Sequence, residues 1–105
     1  MGDPVEIQAI RRVLKRRAER VLVNATKSLV GHTLGAAGAL GAIASVLSLA
    51  HGQIHPTLNY DDPDPACALP GISTQVQERP ITIALLNAFG FGSNNAAVVF
   101  KKYVR

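Results

Sequence analysis

Charge is absent from Leu34 to Ala50, a run in which Gly, Ala and Ser alternate with Leu, Ile and Val. A helix that is apolar on every side is one packed on every side, but three short strands and one amphipathic helix scarcely cover it, so exposed apolar surface is expected in the isolated chain. Its length approaches that of a membrane span, but its glycines and its polar ends at His32 and His51 favour the core helix of a soluble protein, and no membrane span is expected. Tryptophan is missing and cysteine occurs once, at Cys67. A single thiol excludes an internal disulfide framework and suits a reducing, cytoplasmic location. No secretory signal is expected, since Met1-Gly2-Asp3-Pro4 is polar and acidic. What remains is globular: 105 residues, 48% apolar and 17% charged, the content of one domain over 1–105.

The net charge of +4 is local, coming mainly from Arg11, Arg12, Lys15, Arg16, Arg17 and Arg20. These lie on a helix that Asp3, as N-cap, and Pro4, at the first helical position, would start, with Glu6 closing a capping box and the helix running to about Glu19. Ile7, Ile10, Val13 or Leu14, and Ala18 recur at helical spacing, leaving the cations on the opposite face. That face is either simply solvated or a dock for an acidic partner. Nucleic acid is not expected, because no aromatic residue interleaves with the cations and no binding motif accompanies them.

Val21-Leu22-Val23-Asn24-Ala25 reads as a short strand buried in a sheet, with Lys27 and His32 following its end. In open α/β sheets, sites form outside the carboxyl ends of strands. The long helix would begin just after His32, where unpaired amides favour an anion or a developing oxyanion, and would end at Gly52 with His51 in its last turn. Turn formers dominate Gln53 to Pro80, predicting an irregular excursion with at most a short strand near Thr74 to Gln77. Ile81 to Leu86 and Ala96 to Lys101 then read as buried strands. The glycine-bearing link between them, Asn87 to Asn95, predicts an antiparallel pair.

Several patterns fail as sites. Gly90-Phe91-Gly92 lacks the third glycine and the following helix of a nucleotide loop; it is either a plain hairpin turn or a bend that aims main-chain amides into a cavity. His51 and His55 have HxxxH spacing, but Gly52 and Pro56 break any shared helix. Asp61, Asp62 and Asp64 lack the distal Glu of a calcium loop, so no metal is expected. Cys67 has no basic neighbour and no helix start to make it a thiolate.

Two longer motifs remain, Lys27-Ser28-x-x-Gly31-His32-x-x-Gly35-Ala36-Ala37-Gly38 and Asn87-x-Phe89-Gly90-Phe91-Gly92-x-Asn94-Asn95. With Gly2-Asp3-Pro4-x-Glu6 and Pro56-Thr57-Leu58-Asn59 they cover nearly the whole chain, which resembles the C-terminal part of an elongating β-ketoacyl-[acyl-carrier-protein] synthase. A thiolase shares the Gly-His-x-x-Gly pattern but carries a catalytic Cys near its end, where this chain has Phe89 and Phe91. The resemblance implies an α/β, thiolase-like C-terminal portion with two main helices and a small mixed sheet ending in an antiparallel hairpin. It implies decarboxylative Claisen condensation in fatty-acid or polyketide synthesis, without a cofactor, by an enzyme that is a homodimer and uses acyl carrier protein.

By motif, His32 is similar to the family's second catalytic histidine, which hydrogen-bonds the thioester oxygen. Lys27 is similar to its catalytic lysine. Phe91 resembles the gating phenylalanine whose amide helps form the oxyanion hole, with Phe89, Gly90 and Gly92 as the supporting turn. Arg11, Arg12, Lys15 and Arg16 are candidates for carrier-protein docking. The family's nucleophilic Cys and first catalytic His have no counterpart here, Gly41 stands where a glutamate is common, and Ser93 replaces a glycine. The chain is therefore expected to act as an incomplete, inactive fragment that needs the upstream part of a synthase. The alternative is a non-catalytic subunit that binds a complete synthase or carrier protein.

Overall fold

The computed structural model describes residues 2–90, 92 and 94–103. Helix α1 spans Gly2–Leu14 and is followed directly by a 3₁₀ turn, Lys15–Arg20. The single helix expected to reach Glu19 is broken at Lys15, whose φ of 51° lies in the left-handed region. Arg11 with Lys15 and Arg12 with Arg16 would place like charges one turn apart, which works against helix continuation. The turn instead covers Ala18 completely and brings Arg11 Nε to 3.9 Å from Glu19 Oε1. Ile7 is buried, Leu14 is half-buried, and Val13 points outward with 75% of its surface exposed.

The expected capping box is not used. Asp3 and Pro4 already lie inside α1, among the first four residues, whose amides have no intrahelical partner. Glu6 Oε1 accepts instead from Asn87 Nδ2. The run at 21–25 is not a strand either: its ladder is one parallel bridge, Val23 to Ile72, with Val23 N–H donating to Gly71 C=O. A strand needs a partner of its own length, and the turn at Leu69–Gly71 supplies only this bridge. A Cβ on Gly71 would overlap the Val21 carbonyl, so the crossing requires glycine.

Helix α2 is one turn, Lys27–Val30, and α3 spans Ala37–His51 after a 3₁₀ turn at Leu34–Ala36. The long helix thus starts several residues later than the sequence suggests. Gly52 ends it as expected, at φ 70° with its N–H on Ser48 C=O. Strands β1 (Gln53–Ile54) and β2 (Gln77–Glu78) form a short antiparallel pair on either side of the excursion. Inside the excursion, Asp64 caps a 3₁₀ turn at Pro65–Cys67 by accepting from Ala66 N–H, and this turn packs on α1.

Strands β3 (Ile83–Gly90) and β4 (Asn94–Lys101) form the antiparallel hairpin. Pairing extends to Gly90 and Asn94, so the link is much shorter than the 87–95 segment assigned from sequence. Among the described residues, the parallel component of the sheet structure is the Val23 bridge and the rest is two antiparallel pairs.

Apolar surface stands bare on α3 and the hairpin, as expected from the few elements available to cover the long helix. Within α3 only Gly41 and Leu49 are buried, and only 11% of the apolar Leu34–His51 stretch is covered. That stretch is long and apolar enough to cross a membrane by length and composition. One face of α3 packs on β3, whereas Ile43, Val46 and Leu47 stand exposed. Ile83, Leu85 and Val99 are exposed on the hairpin. Strands apolar on both faces are strands built to be covered twice, and here one cover is present.

Candidate active site

Lys27 opens α2, and Gly31 closes it with its N–H on Lys27 C=O. At φ 74° and ψ 179°, Gly31 holds a conformation open essentially to glycine alone, and it redirects the chain into His32. The His32 ring then folds forward. Its Nδ1 accepts from Leu34 N–H at 3.1 Å, so in the neutral ring the proton sits on Nε2 and is free to donate outward. Leu34 takes φ 51° to present that amide. The helix-end anion site expected just after His32 is altered accordingly: the Leu34 amide is occupied, and the α3 N-terminus lies farther along. Both Lys27 and His32 are exposed, and among the described residues Lys27 makes no ion pair. The half-buried Thr33 has a covered Oγ1 with no hydrogen-bond partner among those residues.

The direction of β3 relates this segment to the glycine turn. A Cβ on Gly41 would meet Leu86 Cδ1 at 2.8 Å, which fixes Leu86 against the first half of α3. His51 and Gly52 line a groove with Thr82 and Lys102, placing the start of the hairpin beside the other end of the helix. Strand and helix therefore run in opposite directions. From Leu86 to Gly90 the strand advances about 13 Å, whereas from Gly41 back to Ala37 the helix covers about 6 Å. The hairpin tip at Gly90 and Gly92 therefore lies on the side of the sheet where α3 starts rather than where it ends. Gly92 has φ 81°, the left-handed geometry of a tight link, and Phe89 is exposed. Phe91 and Ser93 lie outside the described residues.

The basic residues belong to a different part of the molecule. Arg11 Nη2 donates to Ala68 C=O, which anchors the excursion to α1. Arg12, Lys15 and Arg16 are exposed, and the last two border a shallow concavity of about 530 Å³ with Val13, Leu14 and Arg17. Neither this hollow nor the one of about 500 Å³ beside His51 is lined by Lys27 or His32. Partial burial, reinforced by the Asp64 and Asp3 carboxylates, pushes the Cys67 thiol up from its ordinary value, the opposite of an activated nucleophile. No group of three or more potential metal ligands occurs among the described residues.

What the sequence did not reveal is the support behind Lys27. Ala25 N–H donates to Thr57 Oγ1, Leu58 N–H donates to Ser28 Oγ, and Asn24 Nδ2 donates to His55 C=O. The Pro56-Thr57-Leu58-Asn59 motif was visible as a pattern, but its contact with 24–28 spans about thirty residues and has no local signature.

Known proteins are similar to this chain in sequence and fold. Residues 1–61 match the β-ketoacyl synthase C-terminal domain. The chain is 39% identical over 102 residues to the chloroplastic 3-oxoacyl-[acyl-carrier-protein] synthase I of Hordeum vulgare, which covers 97% of this chain and 22% of that protein. It is 40% identical to 3-oxoacyl-[acyl-carrier-protein] synthase 2 of Synechocystis sp., over 97% of this chain and 24% of that one. Among solved structures, the ketosynthase of a type II polyketide system, determined with its acyl carrier protein and bound to the hexaketide, superposes with a TM-score of 0.88 at 37% identity over 93% of this chain and 24% of that one. The ketosynthase from module 1 of the bacillaene synthase of Bacillus amyloliquefaciens superposes with a TM-score of 0.88 at 31% identity, over 100% of this chain and 22% of that one.

These matches define a thiolase-like ketosynthase fold. The chain belongs to the β-ketoacyl synthase family and carries that family's C-terminal domain. It spans about a quarter of the length of the relatives it matches.

Proposed function

We propose that this chain contributes one wall of a β-ketoacyl-ACP synthase active site, for decarboxylative Claisen condensation of an acyl thioester with malonyl-carrier protein. The observation that carries the reading is the His32 ring, whose Nδ1 is taken by the Leu34 amide so that Nε2–H is the available donor. An outward N–H suits a thioester oxygen that gains negative charge as the enolate forms, and a donor fixed before that charge develops contributes about 3–4 kcal/mol. Lys27 adds positive charge on the same connection. The Phe91 amide, on the Phe89-Gly90-Phe91-Gly92 turn, is the second donor in this reading, with the Phe91 ring as acyl gate. The sulfur nucleophile and the other catalytic histidine come from the upstream part of a synthase, so the isolated chain is inactive. The assembled enzyme is a homodimer working in a reducing, cytoplasm-like compartment. Arg12, Lys15 and Arg16 meet the acidic carrier protein beside the Val13 to Arg17 hollow.

The test is a chimera in which this chain replaces the C-terminal quarter of the Synechocystis relative. Supplied with acyl- and malonyl-carrier protein, the chimera is expected to release ketoacyl product, and His32→Ala to lower turnover at least about a hundredfold. Product from the isolated chain, or a folded chimera indifferent to His32→Ala, overturns the reading.

A second reading rests on the bare apolar faces of α3 and the hairpin: a non-catalytic subunit that pairs with a complete synthase. Native mass spectrometry with an intact synthase separates the two, because a stable stoichiometric complex without gain of activity supports the subunit.

A further inference from the structure

Lys27 lies between two residues whose hydroxyls are committed to a distant segment. Thr26 precedes α2, where a hydroxyl ordinarily accepts from an amide of the first turn. Here it makes no cap bond and lies 3.2 Å from His55 Nε2 instead. His55 Nδ1 is 2.9 Å from the Pro56 carbonyl oxygen. A carbonyl only accepts, so Nδ1 carries the proton, and in the neutral ring Nε2 accepts from the Thr26 hydroxyl. This tautomer is the reverse of that of His32.

On the other side of Lys27, Ser28 Oγ donates to Ala25 C=O at 2.7 Å and accepts from Leu58 N–H at 2.9 Å. The Ala25 amide is held in turn by Thr57 Oγ1, on a buried residue. A one-turn helix does not hold itself in place, and its bonds to 55–58 are what fix α2. The HxxxH spacing that made His55 resemble a metal ligand has this structural use.

We infer that Thr26 and His55 form a clamp that positions the Lys27 amine within the active site; the inference rests on the reading of Lys27 as an active-site residue. Neither member touches the reacting atoms. Their hydrogen bond sets where the first turn of α2 begins, and therefore where Lys27 projects relative to His32. Misplacement of a reacting or stabilising group by about 1 Å can cost about a hundredfold in rate.

The test pairs Thr26→Val, which keeps the shape and removes the hydroxyl, with Thr26→Ser, which keeps the hydroxyl. In the full chain, long-range ¹⁵N–¹H spectra are expected to show His55 as the Nδ1–H tautomer and His32 as the Nε2–H tautomer. Thr26→Val is expected to shift the His55 Nε2 resonance and to speed amide exchange at Leu29, Val30 and Gly31 about tenfold, with Thr26→Ser close to the parent.

In the chimera, Thr26→Val is expected to lower kcat about tenfold with KM within about twofold, Thr26→Ser to restore it, and Thr26→Val with His55→Phe to be no worse than either alone. Parent-like exchange and kcat in Thr26→Val, equal impairment in Thr26→Ser, or additive losses in the double variant overturn the clamp. If the chimera ignores His32→Ala while the Thr26 variants still change exchange and the His55 spectrum, the functional reading fails and the structural link stands.

Discussion

Asn87 Nδ2 donates to Glu6 Oε1 at 3.0 Å, across 81 residues of sequence. Asn87 belongs to the glycine-turn motif and Glu6 to the N-terminal motif, so the bond joins α1 to the strand that carries the turn. It explains why Glu6 leaves the helix N-terminus unattended. Because the pair is partly buried and one partner is a carboxylate, removing either side chain is expected to cost about 1–2 kcal/mol. Glu6→Ala, Asn87→Ala and the double variant, compared by urea unfolding, are expected to give a coupling of about 1 kcal/mol. Strict additivity would show that the bond does not tie the two elements.

The contact between Gly41 and Leu86 offsets an ordinary helix preference. In a helix interior Ala is favoured over Gly by about 1 kcal/mol, but here a Cβ would lie 2.8 Å from Leu86 Cδ1. The obstacle is the terminal methyl of a half-buried side chain, which can turn aside at little cost, so Gly41→Ala alone is expected to lose most of that gain and to lie within about 1 kcal/mol of the parent. Once Leu86→Ala has removed the obstacle, the same Gly41→Ala change is expected to stabilise by about 1 kcal/mol. Denaturation midpoints of the four chains provide the check, and a destabilising Gly41→Ala on the Leu86→Ala background contradicts the steric account. A glutamate at 41 would meet the same Leu86 methyl.

The Cys67 thiol provides a prediction about pH. Its raised value means that the folded chain holds the thiol proton to higher pH than the unfolded chain does. Any stability that follows is complete below the ordinary thiol range and is lost as pH rises through the folded value. Only thiolate reacts with iodoacetamide, so the rate profile of the native chain is expected to lie at higher pH than that of the chain in denaturant. Asp64→Asn removes one of the carboxylates behind the shift and is expected to move the native profile back toward lower pH. Coincident native and denatured profiles would remove the basis for this prediction.

Much of this architecture was legible from local rules, and the failures have particular causes. Gly52 ended α3 as its sequence position implied, because a left-handed C-cap is a local requirement. The hairpin followed from two β-branched, apolar runs flanking glycines. Val21 to Ala25 misled because β propensity marks a strand only when a neighbour exists to pair with, and Ile72 provides a single bridge. The Lys15 break was hidden because the apolar spacing continues through Ala18 while the backbone does not. His32 and Lys27 stood out by motif, whereas Thr26, His55 and Thr57 did not, since their hydrogen bonds join segments about thirty residues apart.

The apolar surface of the chain sets its behaviour in solution. Ile43, Val46 and Leu47 occupy one exposed side of α3, while Ile83, Leu85 and Val99 line the outer face of the hairpin. Among the described residues the buried apolar side chains are Ile7, Ala18, Leu49 and Leu69, a small core beside so much uncovered surface. Contiguous apolar patches of this kind drive association when nothing else covers them. The isolated chain is therefore expected to bind a hydrophobic dye and to sediment as concentration-dependent oligomers. Val46→Asp and Val99→Asp, at positions 48% and 65% exposed, leave the small core intact and are expected to reduce both signals. Arg16→Glu, on the basic face, is expected to change neither. A chain that remains monomeric and dye-free across a hundredfold concentration range would mean that these faces are already covered in solution.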